Sequence, residues 1–236
     1  MTAAREAGLR PLVAFGHGVG ERCPEDCKLP SVGAYRRAVA AFRERYPWVR
    51  TFQTWNEANH QSQPTARNPK RAAQFYNALR ELCRGCRIVA ADVLDQRNMV
   101  PWLREFLRHA KRPRTWGLHN YGDVNRFRAR GLERLLATVP GQVWLTEVGG
   151  IVSFRTESGR LVFPHSNRRA AKAVRYLFRL AAKHPRVRRV YLYHWSSDRE
   201  NRWDSALIDP NGKPRPAFYV VRNELRRIRW ARARAR

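Results

Sequence analysis

The chain has 236 residues, 43% of them hydrophobic, and a formal net charge of +28. That length suits one large domain or two small ones; the apolar content excludes wholesale disorder, and no apolar run approaches the roughly 20 residues of a membrane span. The charge invites nucleic acid, an anionic membrane or an acidic polysaccharide. But only six of the 47 basic residues are lysine, the skew of a GC-rich codon usage, and no zinc-finger, ribonucleoprotein or helix-turn-helix pattern accompanies them, so nucleic acid is a disfavoured partner.

In chain order, residues 2–9 read as the end of a helix stopped at Gly8, and residues 11–15 as an apolar strand running into Gly16-His17-Gly18. Ser31 can cap a helix whose positions Tyr35, Ala38, Val39, Phe42 and Tyr46 recur at helical spacing until Pro47. Residues 51–55, Thr-Phe-Gln-Thr-Trp, suit a short buried strand that ends in the polar cluster Asn56-Glu57-Ala58-Asn59. Asn68-Pro69 starts a helix with Ala72, Phe75, Tyr76, Leu79 and Leu82 as its buried stripe. Residues 87–92 make the next strand, closing on Asp92, and Asn98 can cap a helix that carries Met99, Trp102, Leu103, Phe106 and Leu107 on one face.

The strand over 115–118 ends in His119-Asn120-Tyr121; a helix over 127–139 and a Pro140-Gly141 turn follow. Residues 142–147 form a strand that ends in Glu147 before two glycines, and a long loop runs on through Pro164. Ser166 caps a helix with Ala170, Val174, Leu177, Phe178 and Ala181 inside, and the strand over 187–195 ends at Trp195. Residues 209–212, Asp-Pro-Asn-Gly, read as a turn, Pro216 starts a last helix, and residues 231–236 form a frayed basic tail. Trp55 and Trp144 read as core.

Six strands, each followed by a helix, with short apolar runs, are the pattern of parallel strands buried on both faces. That gives a doubly wound sheet or a barrel, and no glycine-rich phosphate fingerprint follows the first strand. Polar residues gather at the carboxyl ends of strands: His17, Asn56 and Glu57, Asp92, His119 and Tyr121, Glu147, Trp195. In a barrel these ends share the face that carries active sites.

Two of the strand ends resemble a known family. Trp55-Asn56-Glu57-Ala58-Asn59 is similar to the end of the fourth barrel strand in clan A glycoside hydrolases, usually Trp-Asn-Glu-Pro-Asn, with Ala58 in place of the proline. Residues 142–149, Gln-Val-Trp-Leu-Thr-Glu-Val-Gly, resemble the setting of that family's nucleophile at the end of strand seven. Two strand-helix units separate the motifs, as that numbering requires. The resemblance implies an α/β fold of the (β/α)8 TIM-barrel type, with about six of eight strands (3 to 8) in one domain over residues 1–230. Either Met1 is not the natural start, or two sheet edges lie unpaired. The latter would favour self-association, marginal stability and weak hydrolysis.

The resemblance also implies a retaining hydrolysis of O-glycosidic bonds in a carbohydrate. Glu147 is then the nucleophile and Glu57 the acid and base, with carboxyls about 5–5.5 Å apart. Burial and mutual repulsion would keep Glu57 protonated for the first step. Asn56 would bind the sugar 2-hydroxyl, Tyr121 would donate to Glu147, Trp195 would floor the sugar ring, and His119 and His17 would complete the binding site. Neither metal nor organic cofactor is needed, and an acidic polysaccharide is a further candidate partner. Two other classes are a carbohydrate-binding barrel remnant without catalysis, and a basic protein for nucleic acid or an acidic cell-wall polymer, whose binding would collapse with salt.

The four cysteines fall into two close pairs, Cys23/Cys27 and Cys83/Cys86. Four thiolates on zinc fit the spacing, but Pro-Glu-Asp inside the first pair sets acidic charge beside thiolates. Disulfides within each pair, or reduced thiols, are favoured. Disulfides imply an oxidising compartment and an extracellular parent protein, although the first residues do not read as a signal peptide.

Overall fold

The computed structural model describes residues 1–17, 27–198 and 202–234. In chain order the elements are α1 (Thr2–Glu6), β1 (Val13–Ala14), α2 (Val32–Arg45), β2 (Thr51–Gln53), α3 (Pro69–Leu82), β3 (Arg87–Val89), β4 (Asp92–Leu94), α4 (Met99–His109) and β5 (Thr115–His119). They continue as α5 (Tyr121–Val124), α6 (Arg130–Thr138), β6 (Gln142–Val148), β7 (Ser153–Arg155), β8 (Leu161–Phe163), α7 (Asn167–Lys183), β9 (Val187–Leu192), β10 (Trp203–Asp204) and α8 (Pro216–Arg234). Two compact units result: residues 1–119 with 133–144, and residues 120–132 with 145–236.

In the first unit β1, β2 and β3 pair in parallel, as do β4 and β5. The single strand expected over 87–92 is therefore two. Val89 still serves β2, accepting from Thr54 N–H, while Ala90 N–H already donates to the Thr115 carbonyl. The chain changes partners at the buried pair Ala90-Ala91. Phe52, Trp55 and Phe75 form the core, with the Trp55 and Phe75 rings stacked at 5.5 Å and Tyr35 on Phe75 at 4.4 Å. Trp144 is fully buried in the same unit.

Two helix starts follow the local rule. Ser31 Oγ accepts Ala34 N–H at 3.0 Å and Asn68 Oδ1 accepts Arg71 N–H at 2.9 Å, each contributing about 1 kcal/mol. Asn98 does not cap α4. Its amide instead closes on Asn59, donating to the Asn59 carbonyl at 2.8 Å and accepting from Asn59 Nδ2 at 3.1 Å. Asn59 is fully buried, and satisfying a buried amide outweighs a solvated cap. Cys83, the C-cap of α3, is disulfide-bonded to Cys86. Cys27 is disulfide-bonded too, whereas Cys23 lies outside the described residues. Oxidised sulfurs are not zinc ligands, so the four-thiolate alternative falls.

In the second unit the expected long loop is a hairpin. β7 and β8 pair antiparallel, and β10 adds to β7 with Trp203 opposite Phe154. Gly159, at φ 80°, makes the tight return. The helix expected from residue 127 starts only at Arg130, because Phe127 takes φ 54°. α7 begins as expected, Ser166 Oγ accepting Arg169 N–H at 3.1 Å. Ala171, Val174, Leu207, Ala217, Val220 and Val221 build the apolar core between α7 and α8. α8 stays helical to Arg234, so most of the tail expected to fray is ordered.

Gly149 and Gly150, just beyond β6, are glycines for lack of room. A Cβ on Gly149 would strike the Tyr193 carbonyl, and one on Gly150 the Ala170 carbonyl. Backbone cannot yield as a side chain end can. Gly150→Ala should lower stability by about 1–3 kcal/mol, read as a fall in the urea midpoint; an unchanged midpoint would refute the close approach.

Candidate active site

In the first unit the turn after β2 is tied on both sides. Asn56 N–H donates to the Phe15 carbonyl at 3.2 Å and Ala58 N–H to the Asp92 carbonyl at 2.8 Å. Between them Glu57 adopts φ 45°, a left-handed conformation rare outside glycine. Its Oε1 accepts from His119 Nδ1 at 2.9 Å, and His119 Nε2 meets Asp92 Oδ2 at 2.7 Å. His119 and Asp92 are buried, while the Glu57 side chain stays 23% exposed. Both ring nitrogens thus point at carboxylate oxygens, the arrangement of an imidazolium donating twice. Gln53 Nε2 donates to Asp92 Oδ2 at 2.6 Å and to Asn56 Oδ1 at 3.3 Å, which fixes both.

Burial pushes the Glu57 carboxyl up, as expected. The His119 hydrogen bond, the His119 charge and that of His60 more than offset it, and Glu57 lies below the usual carboxylate range. The expectation of a carboxyl kept protonated by burial and mutual repulsion is reversed by His119, a residue the strand pattern placed at a strand end but not against Glu57.

In the second unit Glu147, in the last turn of pleat of β6, accepts from the Tyr121 hydroxyl at 3.0 Å. Burial first, then the Glu147 charge and hydrogen bond, push the Tyr121 hydroxyl far above its ordinary value, so it remains a donor. Trp203 meets Tyr121 edge-on at 4.7 Å and Phe154 meets Trp203 at 4.8 Å. Trp203 Nε1 donates to Ser205 Oγ at 3.2 Å, and Ser205 donates to the Tyr193 carbonyl at 2.7 Å. Asn125 braces the segment after Glu147, donating to the Gly149 carbonyl at 2.9 Å and accepting from Ile151 N–H at 2.7 Å.

Of the residues named from sequence, Asn56, Glu57 and His119, with Asp92, form one hydrogen-bonded group; Tyr121 and Glu147 form another. Trp195 lies beyond the end of β9, is 64% exposed and touches the Phe218 ring edge at 5.9 Å. His17 is exposed after β1. Sequence reasoning missed Gln53, Asn125 and Trp203. A glutamine inside an apolar strand was a usable signal, since burial demands partners for it; nothing local distinguishes Trp203 from Trp195.

Residues 31–220 match the family model described as glycosyl hydrolase catalytic core. No curated protein matches the chain. Among solved structures, xylanase 10B from Thermotoga maritima is 16% identical with a TM-score of 0.58, over 83% of this chain and 65% of its own. A GH39 β-xylosidase from Caulobacter crescentus is 18% identical with a TM-score of 0.66, over 93% and 55%. A GH128 endo-β-1,3-glucanase from Amycolatopsis mediterranei, complexed with laminarihexaose, is 19% identical with a TM-score of 0.62, over 80% and 78%. The chain thus spans less than two thirds of the first two structures. The likeness establishes an α/β fold of the TIM-barrel glycosidase type, as the strand-end motifs implied. The family match runs through both strand ends that carry the glutamates, and the chain belongs to the glycosyl hydrolase catalytic core family.

Proposed function

We propose that the protein is a retaining glycoside hydrolase acting on β-linked polysaccharide, with Glu147 as nucleophile and Glu57 as general acid and base. The observation that carries this reading is the difference between the two hydrogen-bond donors. Glu147 accepts from a tyrosine hydroxyl that burial prevents from ionising, which suits a carboxylate that must stay charged to attack. Glu57 accepts from a histidine, a group that can hand over its proton.

In the first step a Glu147 oxygen bonds to the anomeric carbon and the glycosidic C–O bond breaks. The leaving oxygen takes its proton from Glu57, to which His119 supplies one as the bound sugar displaces water. In the second step Glu57 takes a proton from water, whose oxygen displaces Glu147 and releases the sugar, and Glu57 passes that proton back to His119, which restores the starting state. Asn56 binds the 2-hydroxyl and Trp195 offers a ring face. His17 remains a binding candidate by resemblance. The named relatives act as xylanase, β-xylosidase and endo-β-1,3-glucanase, which supports a β-linked substrate. The Cys83–Cys86 disulfide supports an oxidising, extracellular setting.

The test is incubation with β-xylan and laminarin, following the newly formed reducing end by proton NMR. The β-anomer should appear first and mutarotate later. The α-anomer appearing first would make the enzyme inverting, and binding of the glycans without cleavage would reduce it to a carbohydrate-binding domain.

A further inference from the structure

A second feature of the first unit is unrelated to the glutamates. At the amino ends of β3 and β5 an open cavity of about 340 Å³ is lined by Arg80, Arg87, Arg112 and Arg114, with Tyr76 and Cys86 in its wall. β5 begins at this cavity with Thr115 and ends with His119. At about 3.3 Å per residue the two ends of the strand lie about 13 Å apart, so the cavity is separate from the group around Glu57.

The arginines here differ from the rest of this arginine-rich surface. Arg36 and Lys111 share Glu81, and Arg108 pairs with Glu105. Among the described residues none of the four cavity arginines has an acidic partner. Several are also held in place. Arg80 donates to the Lys111 carbonyl and lies over the Tyr76 ring at 5.7 Å. Arg87, the first residue of β3, lies over the Trp144 ring at 5.8 Å. Arg112 sits in a turn at φ 50°, and the Cys83–Cys86 disulfide fixes the loop that supplies Cys86.

Four like charges around one concavity repel, and each keeps exposed N–H donors. A bound oxyanion removes the repulsion and takes paired N–H bonds from planar guanidinium groups. We propose that this cavity is a binding site for an oxyanion. Its size, at the low end for ligand pockets, suits a group no larger than one charged sugar. The same chemistry comes from free phosphate or from the carboxylates of a uronic acid chain. The site acts apart from hydrolysis, and its test does not depend on activity.

Calorimetric titration of the full chain at low ionic strength, with inorganic phosphate in one arm and oligogalacturonate in the other, distinguishes the sources. A double variant, Arg112→Gln with Arg114→Gln, removes two donors. A control of equal charge change, Arg226→Gln with Arg229→Gln, alters the exposed face of α8 instead. Saturable binding of either ligand is expected, weakened at least about tenfold by the cavity pair and less than about twofold by the control. Tighter binding of the oligomer would identify a chain-borne carboxylate, and equal or tighter binding of phosphate a free anion. Equal losses in the two double variants would mean non-specific surface charge and overturn the proposal, as would saturable binding of neither ligand.

Discussion

Glu57→Gln should slow release of a natural sugar leaving group by about 10²–10⁴-fold, and far less when the leaving group is a dinitrophenolate that needs no proton. Glu147→Gln should abolish turnover with both, because no leaving group replaces a missing nucleophile. The pattern separates the two roles without knowledge of the substrate. Equal losses on both substrates in Glu57→Gln would remove it from the acid role.

The pH profile tests the source of the proton. Glu57 lies below the usual carboxylate range because His119 outweighs burial, and His119 is held from behind by Asp92 at 2.7 Å. Removing a negative charge from beside an imidazolium weakens the hold on its proton. In Asp92→Asn the proton therefore leaves at lower pH, and the alkaline limb of kcat/KM should move down while the acid limb changes little. Loss of activity with an unshifted profile would reduce Asp92 to a structural residue.

The largest expected effect on stability lies in the second unit. Arg215 grips Asp204 with two bonds of 2.7 Å, and both side chains are buried. Asp204 also accepts Ala206 N–H at 3.0 Å. Arg215→Met strands a buried carboxylate and should cost about 3–5 kcal/mol in urea unfolding, whereas pairing it with Asp204→Leu should recover much of that loss. Burial pushes the Asp204 carboxyl up, but Arg215 and the Ala206 N–H outweigh it and hold it below its ordinary value. A carboxyl lowered in the folded state contributes stability above its unfolded value and loses it as pH falls through the folded one. The wild type should therefore weaken in acid more steeply than the double variant. A loss under about 1 kcal/mol in Arg215→Met would show the pair to be solvated.

The sequence by itself determined the features that nearest neighbours control. Ser31, Asn68 and Ser166 cap helices because each reaches an N–H three residues on. The two glutamates follow short apolar runs, Glu57 in the turn after β2 and Glu147 as the last residue but one of β6. Only the tertiary structure decided where the remaining polar groups turn. Asn98 could cap its helix or satisfy Asn59, and the buried amide 39 residues away won. Gln53, Asp92 and His119 meet only when β2, β4 and β5 come together, and that meeting lowers rather than raises Glu57. Trp203, which no local pattern marks, reaches the Tyr121 ring because β10 pairs with β7. Caps and periods are local energies that a sequence displays directly. The partner of a buried polar group is chosen by the cost of leaving it unpaired, and that cost depends on which distant segment the fold brings beside it.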